Sequence, residues 1–115
     1  MPRDAAYLLD ILLHARDAVS YTEGMDREAF LADSRTYNAA IRCFEVIGEA
    51  VKRLSEETRL RYPQIPWSKM ARMRDFLIHA YDRVNLDQIW DTVQNELPGL
   101  IRQIEEIVPP AEDAG

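Results

Sequence analysis

Apolar residues recur at spacings of three and four along almost the whole chain, and this rhythm limits the fold more than any other feature. Leu8, Ile11, Leu12, Ala15 and Val19 form one such stripe, and Tyr37, Ile41, Phe44, Ile47, Val51 and Leu54 form a second. A third runs through Ile89, Val93, Leu97, Leu100, Ile101 and Ile104. An apolar stripe of that period covers one face of an α-helix and has to be buried against another helix. No alternating strand pattern, internal repeat or low-complexity run interrupts it. The pattern therefore predicts an all-α protein, an up-and-down bundle of four to five helices joined by short loops.

The punctuation divides the chain. Pro2 is tolerated near the start of the first helix, and Gly24 is placed to end it after Tyr21. A short helical turn is expected at Asp26–Ala32, and then Asp33 or Ser34 caps the long helix that carries the second stripe. Gly48 sits inside that helix, where it costs about 1 kcal/mol relative to alanine, so another helix is expected to approach closely there. The long helix should end before Tyr62-Pro63-Gln64-Ile65-Pro66-Trp67, because two prolines so close together break the pattern. Pro66 suits the first turn of the next helix. Asn85, followed by Gln88, reads as the cap of the last helix, which Pro98 should kink or break. Residues 1–108 form one domain in this reading, and residues 109–115 a disordered C-terminal tail.

With 115 residues and 47% apolar and 30% charged side chains, the chain has the balance of a soluble globular domain. Its single cysteine, Cys43, permits no intrachain disulfide. That suits a reducing cytoplasm, and Cys43 is expected to be inert. No run approaches the roughly 20 apolar residues a membrane span needs, and no signal peptide is legible. The net charge of −6 argues against a general nucleic-acid coat. The average conceals an asymmetry, since residues 52–83 carry eight Lys/Arg against four acids, while the rest of the chain carries six against sixteen. The basic side chains gather around one octapeptide, either as a solvated helix face or as a surface for phosphate.

That octapeptide is Arg74-Asp75-Phe76-Leu77-Ile78-His79-Ala80-Tyr81. It contains a permanent cation whose planar fork fits phosphate oxygens, an imidazole that exchanges protons near neutral pH, and a phenol. At about 100° per residue, Arg74 and Tyr81 project within about 20° of each other, while His79 lies about 140° from Arg74. Arginine and histidine can cooperate if the helix ends or loosens near His79, if long side chains wrap round it, or if a second copy of the chain completes the site. A twofold dimer would supply two histidines, one for each proton transfer of phosphodiester cleavage. The structural alternative makes Arg74 a surface ion pair, His79 a helix-end residue and Tyr81 packing. His14 reads as a packed or surface histidine, and Trp67 and Trp90 as packing residues. Glu49 is expected beside the motif helix, pairing with an arginine. The two histidines are 65 residues apart, so no metal-ligand cluster and no cofactor is expected.

Arg74-x4-His79-x-Tyr81 resembles the signature of the HEPN superfamily, and the surrounding chain is similar to its HepT branch. Ile47-Gly48-Glu49-Ala50, Tyr62-Pro63-x-Ile65-Pro66-Trp67, Tyr7-Leu8-Leu9-Asp10-Ile11-Leu12 and Leu97-Pro98-x-Leu100 carry the same resemblance, so that it spans roughly residues 4–104. It implies a dimeric helical bundle with active sites at or near the dimer cleft. It also implies a metal-independent ribonuclease toxin acting on RNA, with Arg74 and His79 as the catalytic pair. The partner would be an MNT-type nucleotidyltransferase antitoxin that transfers AMP onto Tyr81. Asp75 departs from the asparagine common at that position, and its charge would either orient Arg74 or repel RNA phosphate. Asp75 also favours a rival reading, in which a non-catalytic helical dimer uses Arg74 and Tyr81 to dock the nucleotidyltransferase. A plain dimeric scaffold with no nucleotide link is a third possibility.

Overall fold

The computed structural model describes residues 2–79 and 85–108. Among them are seven helical segments: α1 (Pro2–Tyr21), α2 (Arg27–Ala32), α3 (Ser34–Arg53), α4 (Glu56–Arg61), α5 (Trp67–His79), α6 (Leu86–Asn95) and α7 (Leu97–Glu105). No strand occurs among the described residues, so the all-α reading holds. Long α3 lies at the centre, with α1 against one side and α5 against another. The α7 helix packs on α1, and short α2 bridges α3 and α6.

The three apolar stripes form one core. Ile11, Phe44, Ile47, Val51, Val93, Leu97 and Ile104 are almost completely shielded from solvent. Val19, Tyr37, Ile41 and Ile101, also expected inside, are only partly buried at its margin. Trp67 is buried, and its indole N–H donates to the Tyr62 carbonyl at 3.0 Å. Trp90 stacks obliquely on Phe30 at 5.3 Å. Both tryptophans thus pack within the bundle.

Local chemistry explains the boundaries. Gly24 adopts φ +78°, the left-handed conformation that ends a helix. Asp33 caps α3, its carboxylate accepting from the Arg35 and Thr36 backbone N–H groups at 3.1 and 3.2 Å. Asn85 caps α6 by accepting from the Gln88 N–H at 3.0 Å. The third stripe is divided at Glu96, and Pro98 occupies the first turn of α7, where its missing N–H costs nothing.

One boundary differs from expectation. The long helix stops at Arg53 rather than continuing towards Tyr62, and α4 starts afresh after Ser55. Asp4 at the start of α1 is responsible. Its buried carboxylate accepts from the Ser55 backbone N–H at 3.1 Å, the Ser55 hydroxyl at 2.5 Å and the Thr58 hydroxyl at 2.6 Å. Ser55 itself caps α4 by accepting from the Thr58 N–H. A side chain more than 50 positions away thus satisfies the N–H that a continued helix would have used internally.

Candidate functional site at the crossing of α3 and α5

Gly48 and Glu49, successive residues of α3, hold the two ends of the Arg74 side chain on α5. A Cβ on Gly48 would lie 2.2 Å from the Arg74 Cβ and 3.3 Å from its Cα, so only glycine lets the helices cross at this point. This is the close approach that a glycine in mid-helix implied. Further out, the Arg74 Nε donates to the Glu49 Oε2 at 3.0 Å. The Glu49 Oε1 accepts from the Arg53 Nε at 3.1 Å, one helical turn on. Glu49 foremost, and the neighbouring Tyr7 phenol, raise the Arg53 guanidinium above its ordinary pKa.

The Arg74 side chain is 29% exposed and lines an open cleft of about 260 Å³. Tyr7 and Asp10 of α1 and Arg42, Glu45, Glu49 and Arg53 of α3 line the same cleft. Arg42 pairs loosely with Glu45 at 3.7 Å. Several members of the basic excess are therefore engaged within the chain: Arg53 and Arg74 with Glu49, and Lys69 with Glu96. The asymmetry read from the sequence belongs in part to folding.

The other residues singled out in the sequence fall as follows. The α5 backbone is helical without interruption from Arg74 to His79, so the helix does not loosen between them. Positions 74 and 79 consequently project about 140° apart. Asp75 lies on the same helix, and the side chains of Asp75 and His79 are outside the described part of the structure. Tyr81 lies outside the described residues altogether, as do residues 109–115. Among the described residues, no three His, Cys, Asp or Glu side chains converge as metal ligands would.

His14 is half-buried and donates from Nδ1 to the carbonyl of Asp10 at 2.8 Å, a bond within its own helix. Cys43 is buried, and burial, with a smaller push from Asp17, raises its thiol to about 11. At neutral pH it stays protonated and unreactive. Tyr7, Arg42, Glu45 and Arg53 line the cleft without having been given a role there from the sequence. Arg53 was legible, since Glu49 and Arg53 are an i,i+4 pair on one helix. Tyr7 was not, because it reaches this network from another helix.

With the fold and the cleft in view, the chain belongs to the ribonuclease HepT-like family, whose model matches residues 11–107. It is 49% identical over 107 residues to Putative RNase MJ0127 of Methanocaldococcus jannaschii, covering 93% of this chain and 88% of that protein. It is 41% identical over 101 residues to Probable ribonuclease HepT of Thermococcus cleftensis, covering 88% of this chain and 92% of that one. Putative RNase TTE0752 of Caldanaerobacter subterraneus is 40% identical over 102 residues, with coverage of 89% and 91%. No solved structure matches the chain. Among the described residues, no helix is long and apolar enough to cross a membrane.

Proposed function

We propose that this chain is the ribonuclease toxin of a HepT/MNT toxin–antitoxin pair and cuts RNA without a metal in the cytoplasm. The carrying observation is the seat of Arg74. A glycine beneath its Cβ and a carboxylate on its Nε hold it at a solvent-open cleft, in a chain of the ribonuclease HepT-like family. In this reading residues 1–108 are the working domain and residues 109–115 a tail.

The chemistry follows from the residues. Neutral His79 takes the proton of a ribose 2′-hydroxyl as that oxygen attacks the adjacent phosphorus. Arg74 stabilises the charge that builds on the non-bridging oxygens. The bond from phosphorus to the 5′-oxygen breaks, and a second histidine or water protonates the leaving oxygen. The products are a 2′,3′-cyclic phosphate and a 5′-hydroxyl, and DNA, lacking the 2′-hydroxyl, is not cut. The unbroken helix between Arg74 and His79 favours a homodimer, in which one protomer's arginine works beside its partner's histidine. On an ideal helix positions 74 and 81 would share a face, so AMP transferred to Tyr81 by the antitoxin would place a bulky anion near Arg74. That anion excludes RNA phosphate.

The test is to incubate the purified, unmodified protein with total RNA in EDTA beside an Arg74→Ala/His79→Ala double variant. Cleavage by the wild type alone, leaving cyclic-phosphate ends, is the expected result. Intact RNA in both tubes, with intact mass showing Tyr81 unmodified, would favour the non-catalytic docking module instead. Adding the nucleotidyltransferase and ATP should then add AMP to Tyr81 and stop the cleavage.

A further inference from the structure

A carboxylate on the working arginine of a nuclease presents an electrostatic difficulty. Glu49 is itself anionic and would cancel the charge with which Arg74 attracts RNA phosphate. Its second oxygen, however, belongs to Arg53. Two guanidiniums share one carboxylate, so the trio keeps a net positive charge while Arg74 is held by Nε. A bond to Nε, the guanidinium nitrogen nearest the backbone, limits rotation of the group and so fixes its plane. The Tyr7 phenol of α1 lines the same cleft as Arg53.

We infer that Glu49 is a positioning residue for Arg74, and that Arg53, by sharing this carboxylate, offsets the negative charge it brings to the arginine. The inference rests on the proposed ribonuclease activity but assigns two residues that need not touch RNA. Orientation is what it supplies: a guanidinium with a fixed plane meets phosphate oxygens without first giving up rotational freedom. Gly48 sets the position of the arginine Cβ, Glu49 the angle of its fork, and Arg53 the residual charge.

The experiment is a double-mutant cycle on cleavage of a short RNA in EDTA, with kcat and KM determined separately. Glu49→Gln, which keeps the shape but loses the charge, should lower kcat by about tenfold to a hundredfold. Glu49→Asp should recover part of the loss, and Arg53→Ala should act in the same direction to a smaller extent. In an Arg74→Lys background, which has no Nε of the same geometry, Glu49→Gln should change the rate threefold or less. An equal loss in both backgrounds would assign Glu49 a general structural role and overturn the inference. So would a Glu49→Gln variant that cuts as fast as the wild type, or faster, the latter showing that the carboxylate restrains Arg74. A wild type that leaves RNA intact contradicts the ribonuclease reading itself, and the positioning role falls with it.

Discussion

Two carboxylates on neighbouring parts of this bundle do opposite work. Asp4 is buried, 6% exposed, and surrounded by neutral donors: one backbone N–H and two hydroxyls. Glu49 is 41% exposed at an open cleft and is held by two guanidiniums. The hydrogen bonds from Ser55 and Thr58 outweigh the burial of Asp4 and hold its pKa below the ordinary value. Its task is complete once α1 is pinned to the start of α4. Glu49 instead pairs with a cation that solvent can reach. The first carboxylate is closed off by neutral donors, whereas the second is shared between two cations at an open cleft.

The largest effect is expected at the glycine beneath Arg74. Gly48→Ala places a methyl 2.2 Å from the Arg74 Cβ, which forces α3 and α5 apart. A loss of about 1–3 kcal/mol in stability is expected from overpacking, with RNA cleavage falling about a hundredfold because the arginine is displaced. Urea denaturation and initial cleavage rates measure the two effects. An active Gly48→Ala variant of unchanged stability would show that the crossing is looser than described.

Asp4 should give the converse pattern. Asp4→Ala leaves the Ser55 and Thr58 donors without their acceptor, at a cost of about 2 kcal/mol, and the cleavage rate below the melting transition should be unchanged. The stabilisation from Asp4 should also depend on pH. Its folded pKa lies below the ordinary 3.8, so the contribution is complete above the unfolded value and is lost as the pH falls through the folded one. Wild-type stability should therefore decline more steeply below about pH 4 than that of Asp4→Asn. Parallel declines, followed by circular dichroism, would remove Asp4 from the explanation.

Smaller effects test the periphery. Arg27 spans from α2 to Asp87 and Asp91 of α6 at 2.6 and 2.5 Å, but all three side chains are well exposed. Arg27→Ala should cost no more than about 1 kcal/mol and leave cleavage unaltered. Cys43, protonated and buried, should resist a thiol reagent at pH 8 until the protein is unfolded.

The elements that sequence revealed well are those decided locally. The apolar stripes gave three helical faces, Asp33 and Asn85 cap where short polar side chains should, and Gly24 ends α1 through its positive φ. Gly48 announced a close helix, and Glu49 announced an ion pair with an arginine. The break at Ser55 was hidden because its cause, Asp4, lies on another helix. Tyr7 was hidden for the same reason. The spacing of Arg74 and His79 also showed its own difficulty, and α5, helical up to His79, keeps it: the two positions lie about 140° apart by projection. What local pattern does not carry is which distant side chain meets which, and the site is built from those meetings.

The most direct measurement is the cleavage rate of Arg74→Ala alone, in EDTA, on an RNA oligonucleotide and its 2′-deoxy counterpart. The variant should keep the wild-type melting temperature within a few degrees and lose about a hundredfold or more in rate, while neither protein cuts the deoxy strand. A folded Arg74→Ala that cleaves RNA at the wild-type rate would contradict the account, leaving the seat made by Gly48 and Glu49 as packing.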